Sequence, residues 1–239
     1  MTAVSHVTPA PEVASPVTGR ARIGDIKPRI AGLAAIAFVI SVVIQNIIRG
    51  SSAPANDASG GEVLTYFADH RAVTFVVAGS FVVNAAALAT FLGATMRRLL
   101  AGSRPAWAIT GGVGAVGVVV LFAIVVATEQ ALSVVAGQDQ PSVAAIEALW
   151  ALHNSAFVVL YAALAIALVG LARAGVGAGV TPGAFDRVAP IGGGLLAIGA
   201  IAGPAIAAGD AMPLFGLAGI GFLVWLAFLL GTGLRLVRS

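Results

Sequence analysis

The chain has 239 residues, of which 59% are apolar and 10% charged, with no cysteine and a formal net charge of +3. That balance excludes an ordinary soluble domain, and the missing thiols exclude disulfides, cysteine-ligated metals and ordinary iron–sulfur clusters. The basic residues sit in alternate gaps between apolar stretches, an arrangement set by membrane topology and no sign of a nucleic-acid partner.

Residues 1–29 are rich in Pro, Thr, Ser and Val without helical or strand periodicity. They read as a disordered cytoplasmic tail ending in the basic collar Arg20, Arg22, Lys27 and Arg29. Residues 30–239 then read as one transmembrane domain, all-α, with apolar stretches at 30–48, 72–95, 106–127, 143–171, 188–208 and 212–234. Each reaches the roughly 20 residues that a helix needs to cross the hydrocarbon. The predicted fold is therefore a polytopic bundle of six transmembrane helices. With both termini cytoplasmic, eleven of the thirteen Lys and Arg residues fall on the inner side, leaving Arg49 and Arg71 outside. An uncleaved first span is expected, because the polar lead and the length of the apolar run do not suit a signal peptide.

The longest outer connection contains Ser59-Gly60-Gly61-Glu62, which has the spacing of a capping box, followed by Val63, Tyr66, Phe67 and His70 at helical intervals. A short interfacial helix is predicted near 59–70, with Val63, Tyr66 and Phe67 dipping into the outer leaflet. A similar segment precedes the fourth span. Phe67-Ala68-Asp69-His70 with Phe75-Val76-Val77 parallels Trp150-Ala151-Leu152-His153 with Phe157-Val158-Val159, and Ser59 and Ser142 stand at matching distances before the histidines. On that parallel, 142–153 is a second interfacial helix and the fourth span starts near Asn154. Related inner ends extend the pattern to three helical hairpins, 30–98, 109–173 and 191–235. In the fifth span, Gly199, Gly203 and Pro204 predict close packing and a disrupted turn.

Chemical motifs are few. Gly112-Val113-Gly114-Ala115-Val116-Gly117 spells a dinucleotide fingerprint but lies inside an apolar span with no preceding strand, so it reads as helix packing. No residue pattern calls for a cofactor. The remaining polar groups gather on the outer half: Gln45, Asn46, Asn84, Glu129, Gln130, Glu147, His153, Asn154 and Ser155. Such groups are costly at membrane depth unless paired or turned to a cavity. Glu129 either anchors its helix end among headgroups or lies near a histidine, and Asn84 is expected to bond a neighbouring helix. His70, His153, Glu129, Asn154 and Asn84 are the candidate outer polar pocket, with the two histidines at similar depth.

The Gly61–Arg71 segment, a second span ending in Met96-Arg97-Arg98, and the Leu152–Gly170 stretch resemble a group of uncharacterised bacterial multi-pass membrane proteins that share a domain of unknown function. The resemblance covers the larger part of the chain. It implies a six-span fold in the bacterial plasma membrane and carries no activity with it. Three functional classes stay open: a non-enzymatic protein binding a small ligand, lipid or membrane-protein partner at its outer face, a small-solute transporter, and a histidine-dependent redox or metal enzyme.

Overall fold

Pro28 opens the first helix, where its missing N–H costs nothing, and apolar sequence carries that helix to Arg49. The computed structural model describes residues 27–49 and 53–239. The tail expected over 1–29 therefore lies almost wholly outside the described residues. Those residues form eight helices and no strand: α1 (Pro28–Arg49), α2 (Gly60–Asp69), α3 (Arg71–Ala101), α4 (Pro105–Ala136), α5 (Val143–Gly177), α6 (Phe185–Ile201), α7 (Gly203–Ala207) and α8 (Met212–Arg238). Five of them, α1, α3, α4, α5 and α8, are long and apolar enough to cross a membrane. Length and apolarity mark a multi-pass membrane protein.

The long helices form a closed ring in chain order, with α1 on α3, α3 on α4, α4 on α5, α5 on α6, α6 on α8 and α8 back on α1. Small residues allow the close crossings, since apolar side chains gain little by leaving lipid for one another. Gly111, Gly114 and Gly117 of α4 face Gly170, Ala167 and Ala163 of α5. A Cβ at Gly114 would come within 2.9 Å of the Ala167 Cα, and one at Gly170 within 2.9 Å of the Trp107 carbonyl oxygen. Two of the fingerprint glycines, Gly114 and Gly117, thus belong to the contact surface of a helix pair, while Gly112 faces the Met96 side chain of α3. Gly32 of α1 and Gly233 of α8 make the equivalent approach where the ring closes.

One end of the ring is tied by loops and charges. Arg104 binds Asp186 at 2.5 Å, holding the Asp186 carboxyl below the usual carboxylate range, and the Arg173 guanidinium lies 4.8 Å from the centre of the Trp107 ring. The opposite end carries α2. Here α4 and α5, of 32 and 35 residues, are each about 50 Å long at 1.5 Å per residue, well beyond the roughly 30 Å of hydrocarbon. Their projecting ends receive α2.

The capping box forms as its spacing predicts. Ser59 N–H donates to the Glu62 carboxylate at 2.8 Å, and Glu62 N–H donates back to Ser59 Oγ at 3.4 Å. The Ser59 hydroxyl, which donates to the same carboxylate at 2.8 Å, and the Ser59 N–H together hold the Glu62 carboxyl below its ordinary pKa. The apolar face of α2, however, meets protein and not lipid: Val63 and Phe67 are buried against Leu132, Ala136, Ile146 and Trp150. A fully buried side chain of this size contributes about 1.5–3 kcal/mol, so two such residues dock α2 firmly. Single cysteines at Val63 and Phe67 should resist a membrane-impermeant thiol reagent while those at Glu62, Thr65 and Asp69 react. Protection should persist in detergent, where a helix held by the leaflet alone would label throughout.

One sequence expectation meets a different structure, and another is met. Residues 142–153 are not a separate interfacial helix; they are the first turns of α5, which runs unbroken through Asn154. His70 divides the parallel segment because it caps α2 with φ −107° and ψ 21°, its N–H bonding the Tyr66 carbonyl, whereas His153 lies within the unbroken run of α5. The fifth apolar stretch is interrupted where Gly203 and Pro204 predict it, α6 ending at Ile201 and α7 starting at Gly203. Pro204, in the first turn of α7, has no N–H to carry the α6 ladder forward.

Candidate functional site

At the α2 end, the last residue of α1 reaches across the ring. Arg49 Nη2 lies 2.5 Å from Glu129 Oε2, and the Glu129 side chain is only 8% exposed. Glu129 Oε1 stands 3.9 Å from His153 Nε2, while His153 Nδ1 lies 3.5 Å from the Thr128 hydroxyl. The imidazole stacks on Trp150, with ring centres 4.9 Å apart and planes 5° from parallel, and meets Phe157 on the other side at 6.3 Å. The carboxylate is thus a paired, buried group and not a lone anchor among headgroups.

The loop from α1 to α2 adds a second set of bonds. The Asn56 carbonyl accepts from Trp150 Nε1 at 3.2 Å and from Asn154 Nδ2 at 3.1 Å, and its own amide donates to the Ile206 carbonyl at 2.9 Å. One residue therefore joins α5 to α7 and seats the loop over the bundle. These groups surround a cavity of about 200 Å³, lined by Arg49, Asn56, Glu129, Trp150, His153 and Asn154 among others, with Tyr66, Val73, Thr74 and Phe215 on its remaining walls.

Of the five candidate residues, the cavity brings together Glu129, His153 and Asn154. His70 is not in its lining: its ring stacks on Tyr66 at 4.4 Å and its Nδ1 faces the Tyr66 carbonyl at 2.9 Å. The helix break at His70 turns that histidine to the junction of α2 and α3, while its sequence counterpart points into the bundle from an unbroken helix. The shared pocket of two histidines with Glu129 is corrected accordingly. Asn84 also lies elsewhere, 1% exposed within α3, and neither its Oδ1 nor its Nδ2 has a hydrogen-bond partner among the described residues. The partner expected on a neighbouring helix is not found. Gln45 does act as interhelical glue, bonding Ser80 of α3.

Arg49, Asn56 and Trp150 are site residues that sequence reasoning missed. Arg49 had a signal, because it is one of two basic residues on the side that charge bias assigns to acids. Among the described residues, no group of three or more His, Cys, Asp or Glu side chains is placed to hold a metal ion. What the arrangement offers is a neutralised ion pair, a stacked imidazole and two side-chain amides beside a cavity.

The fold and the site together define a helical multi-pass membrane protein whose ring holds, at one end, a mainly apolar cavity edged by a cluster of polar side chains. No protein-family model matches the chain, and neither a curated protein nor a solved structure is significantly similar to it.

Proposed function

We propose that the chain is a six-span protein of the bacterial plasma membrane, both termini cytoplasmic, that binds a small molecule in the outer cavity without transforming it. The observation that carries this reading is the Arg49–Glu129 pair beside His153 and Asn154, buried at the edge of an open cavity. Burying a carboxylate is expensive even beside a partly exposed guanidinium, and such pairs are kept where they serve a defined arrangement of groups. Orientation rests on the basic residues, eleven of which fall on one side when the α2 end is external. In this reading α6 and α7 together supply the sixth crossing, and the resemblance to bacterial multi-pass proteins supports the location.

Reporters fused after Arg98, Arg173 and Ser239 should read cytoplasmic, and reporters in 134–140 external. An external C-terminus would overturn the orientation. For binding, the exposed mouth residues Ala53 and Val73 give variants that leave the buried groups alone. Native mass spectrometry of the purified protein should find a co-purifying small molecule whose occupancy falls at least tenfold in Ala53→Trp and Val73→Trp. Equal occupancy in wild type and both variants would sink the assignment of the cavity.

A further inference from the structure

A second cavity, of about 240 Å³, lies inside the ring between α1, α4, α5 and α8. It shares Arg49, Phe157 and Phe215 with the outer cavity, so those three side chains form the boundary between the two spaces. Both linings are mainly apolar, and they differ in where the polar groups stand. The outer space is edged by the ion pair, the amides and the imidazole. Apart from Gln45, Asn46 and Arg49 near the shared boundary, the inner one is lined by hydrocarbon and aromatic groups such as Phe38, Val42, Leu160, Leu164 and Trp225. With most of the polar groups at the outer end and mainly apolar walls beyond, the two adjoining spaces have the polarity of an amphiphile.

A further observation bears on the occupant. The charge at the head end is already balanced, since Arg49 is engaged by Glu129. A carboxylate or phosphate head would have to displace Glu129 and leave it buried without its partner, whereas hydroxyl and carbonyl groups can join the existing bonds.

We propose that the two cavities form one site for an uncharged single-chain amphiphile, its oxygen-bearing head beside Arg49, Glu129 and Asn154 and its hydrocarbon chain running past Phe157 towards Trp225. The inference rests on the binding role given to the outer cavity and adds the class of ligand. A chain seated there lies within the ring, shielded from bulk lipid by α1, α4, α5 and α8.

Gly219 makes the idea testable, because it lines the inner cavity and a Cβ built on it meets nothing within 4 Å. Gly219→Leu therefore fills the cavity without striking a neighbour at Cβ, and Gly216→Leu, equally open but outside the lining, is its control. The full chain would be placed in phosphatidylcholine nanodiscs, to avoid detergents that are themselves uncharged amphiphiles, and titrated with a monoacylglycerol brominated on its chain. Saturable quenching of tryptophan fluorescence is expected, lost in Trp225→Phe and shifted at least tenfold to higher concentration in Gly219→Leu but not in Gly216→Leu. The equally brominated free fatty acid, ionised at pH 8, should need at least tenfold more. Unchanged quenching in Gly219→Leu, together with its loss in Ala53→Trp, would overturn the chain position and leave the outer binding site standing. Quenching that neither variant alters would remove both. Tighter binding of the fatty acid would overturn the uncharged head, and absence of any saturable quenching would overturn the amphiphile.

Discussion

Arg49→Ala should destabilise the protein by about 3 kcal/mol, because it strands the Glu129 carboxylate in a site from which water is largely excluded. The loss is set near the lower end of the usual range for a broken buried pair because the Arg49 side chain is 24% exposed, against 8% for Glu129. Glu129→Leu should cost less, since the guanidinium left behind is the better solvated partner. The combined Arg49→Met/Glu129→Leu protein should return to within about 1 kcal/mol of wild type, as apolar replacements of buried pairs commonly do. Unfolding in mixed micelles, followed by tryptophan fluorescence, measures all three. Losses that simply add in the double variant would show that the two side chains do not interact.

The α4–α5 crossing should be as intolerant. Gly114→Leu places a side chain against the Ala167 backbone, and Gly170→Leu places one against Gly111 and the Trp107 carbonyl. Backbone cannot rotate away as a side chain can, so each change should cost on the order of 3 kcal/mol, the upper end of typical overpacking penalties. Gly93→Leu and Gly194→Leu, where a Cβ meets nothing within 4 Å, should stay close to wild type. Size-exclusion profiles of fluorescent fusions together with melting curves would separate the two groups. Equal tolerance at all four positions would mean that this crossing does not set the stability of the bundle.

Much of this architecture is legible in the chain itself. Hydropathy alone finds α1, α3, α4, α5 and α8, because crossing hydrocarbon demands a local property of some twenty residues. The capping box at Ser59 and Glu62 announces α2 for the same reason, each bond spanning three residues. Whether a helix breaks at a histidine is less local, which is why the segments before His70 and His153 look alike and fold differently. The partners in the site are further out of reach. Arg49 and Glu129 are 80 residues apart, and Asn56 stands 94 residues from the indole that it binds. Residue types marked Glu129, His153 and Asn154 as expensive at depth, but only the ring geometry separates them from His70 and Asn84.

Because neighbours around the ring are neighbours along the chain, every helix except the first meets its partner as soon as it enters the membrane. Only the α8–α1 seam, meshed at Gly32 and Gly233, must wait for the whole polypeptide. Assembly can therefore follow synthesis hairpin by hairpin, and the final seam acts as a clasp. A protein cut in the connection between α5 and α6 should still reassemble from co-expressed halves, and the nearness of the start of α1 to the end of α8 at that clasp suits the helical domain to circular permutation.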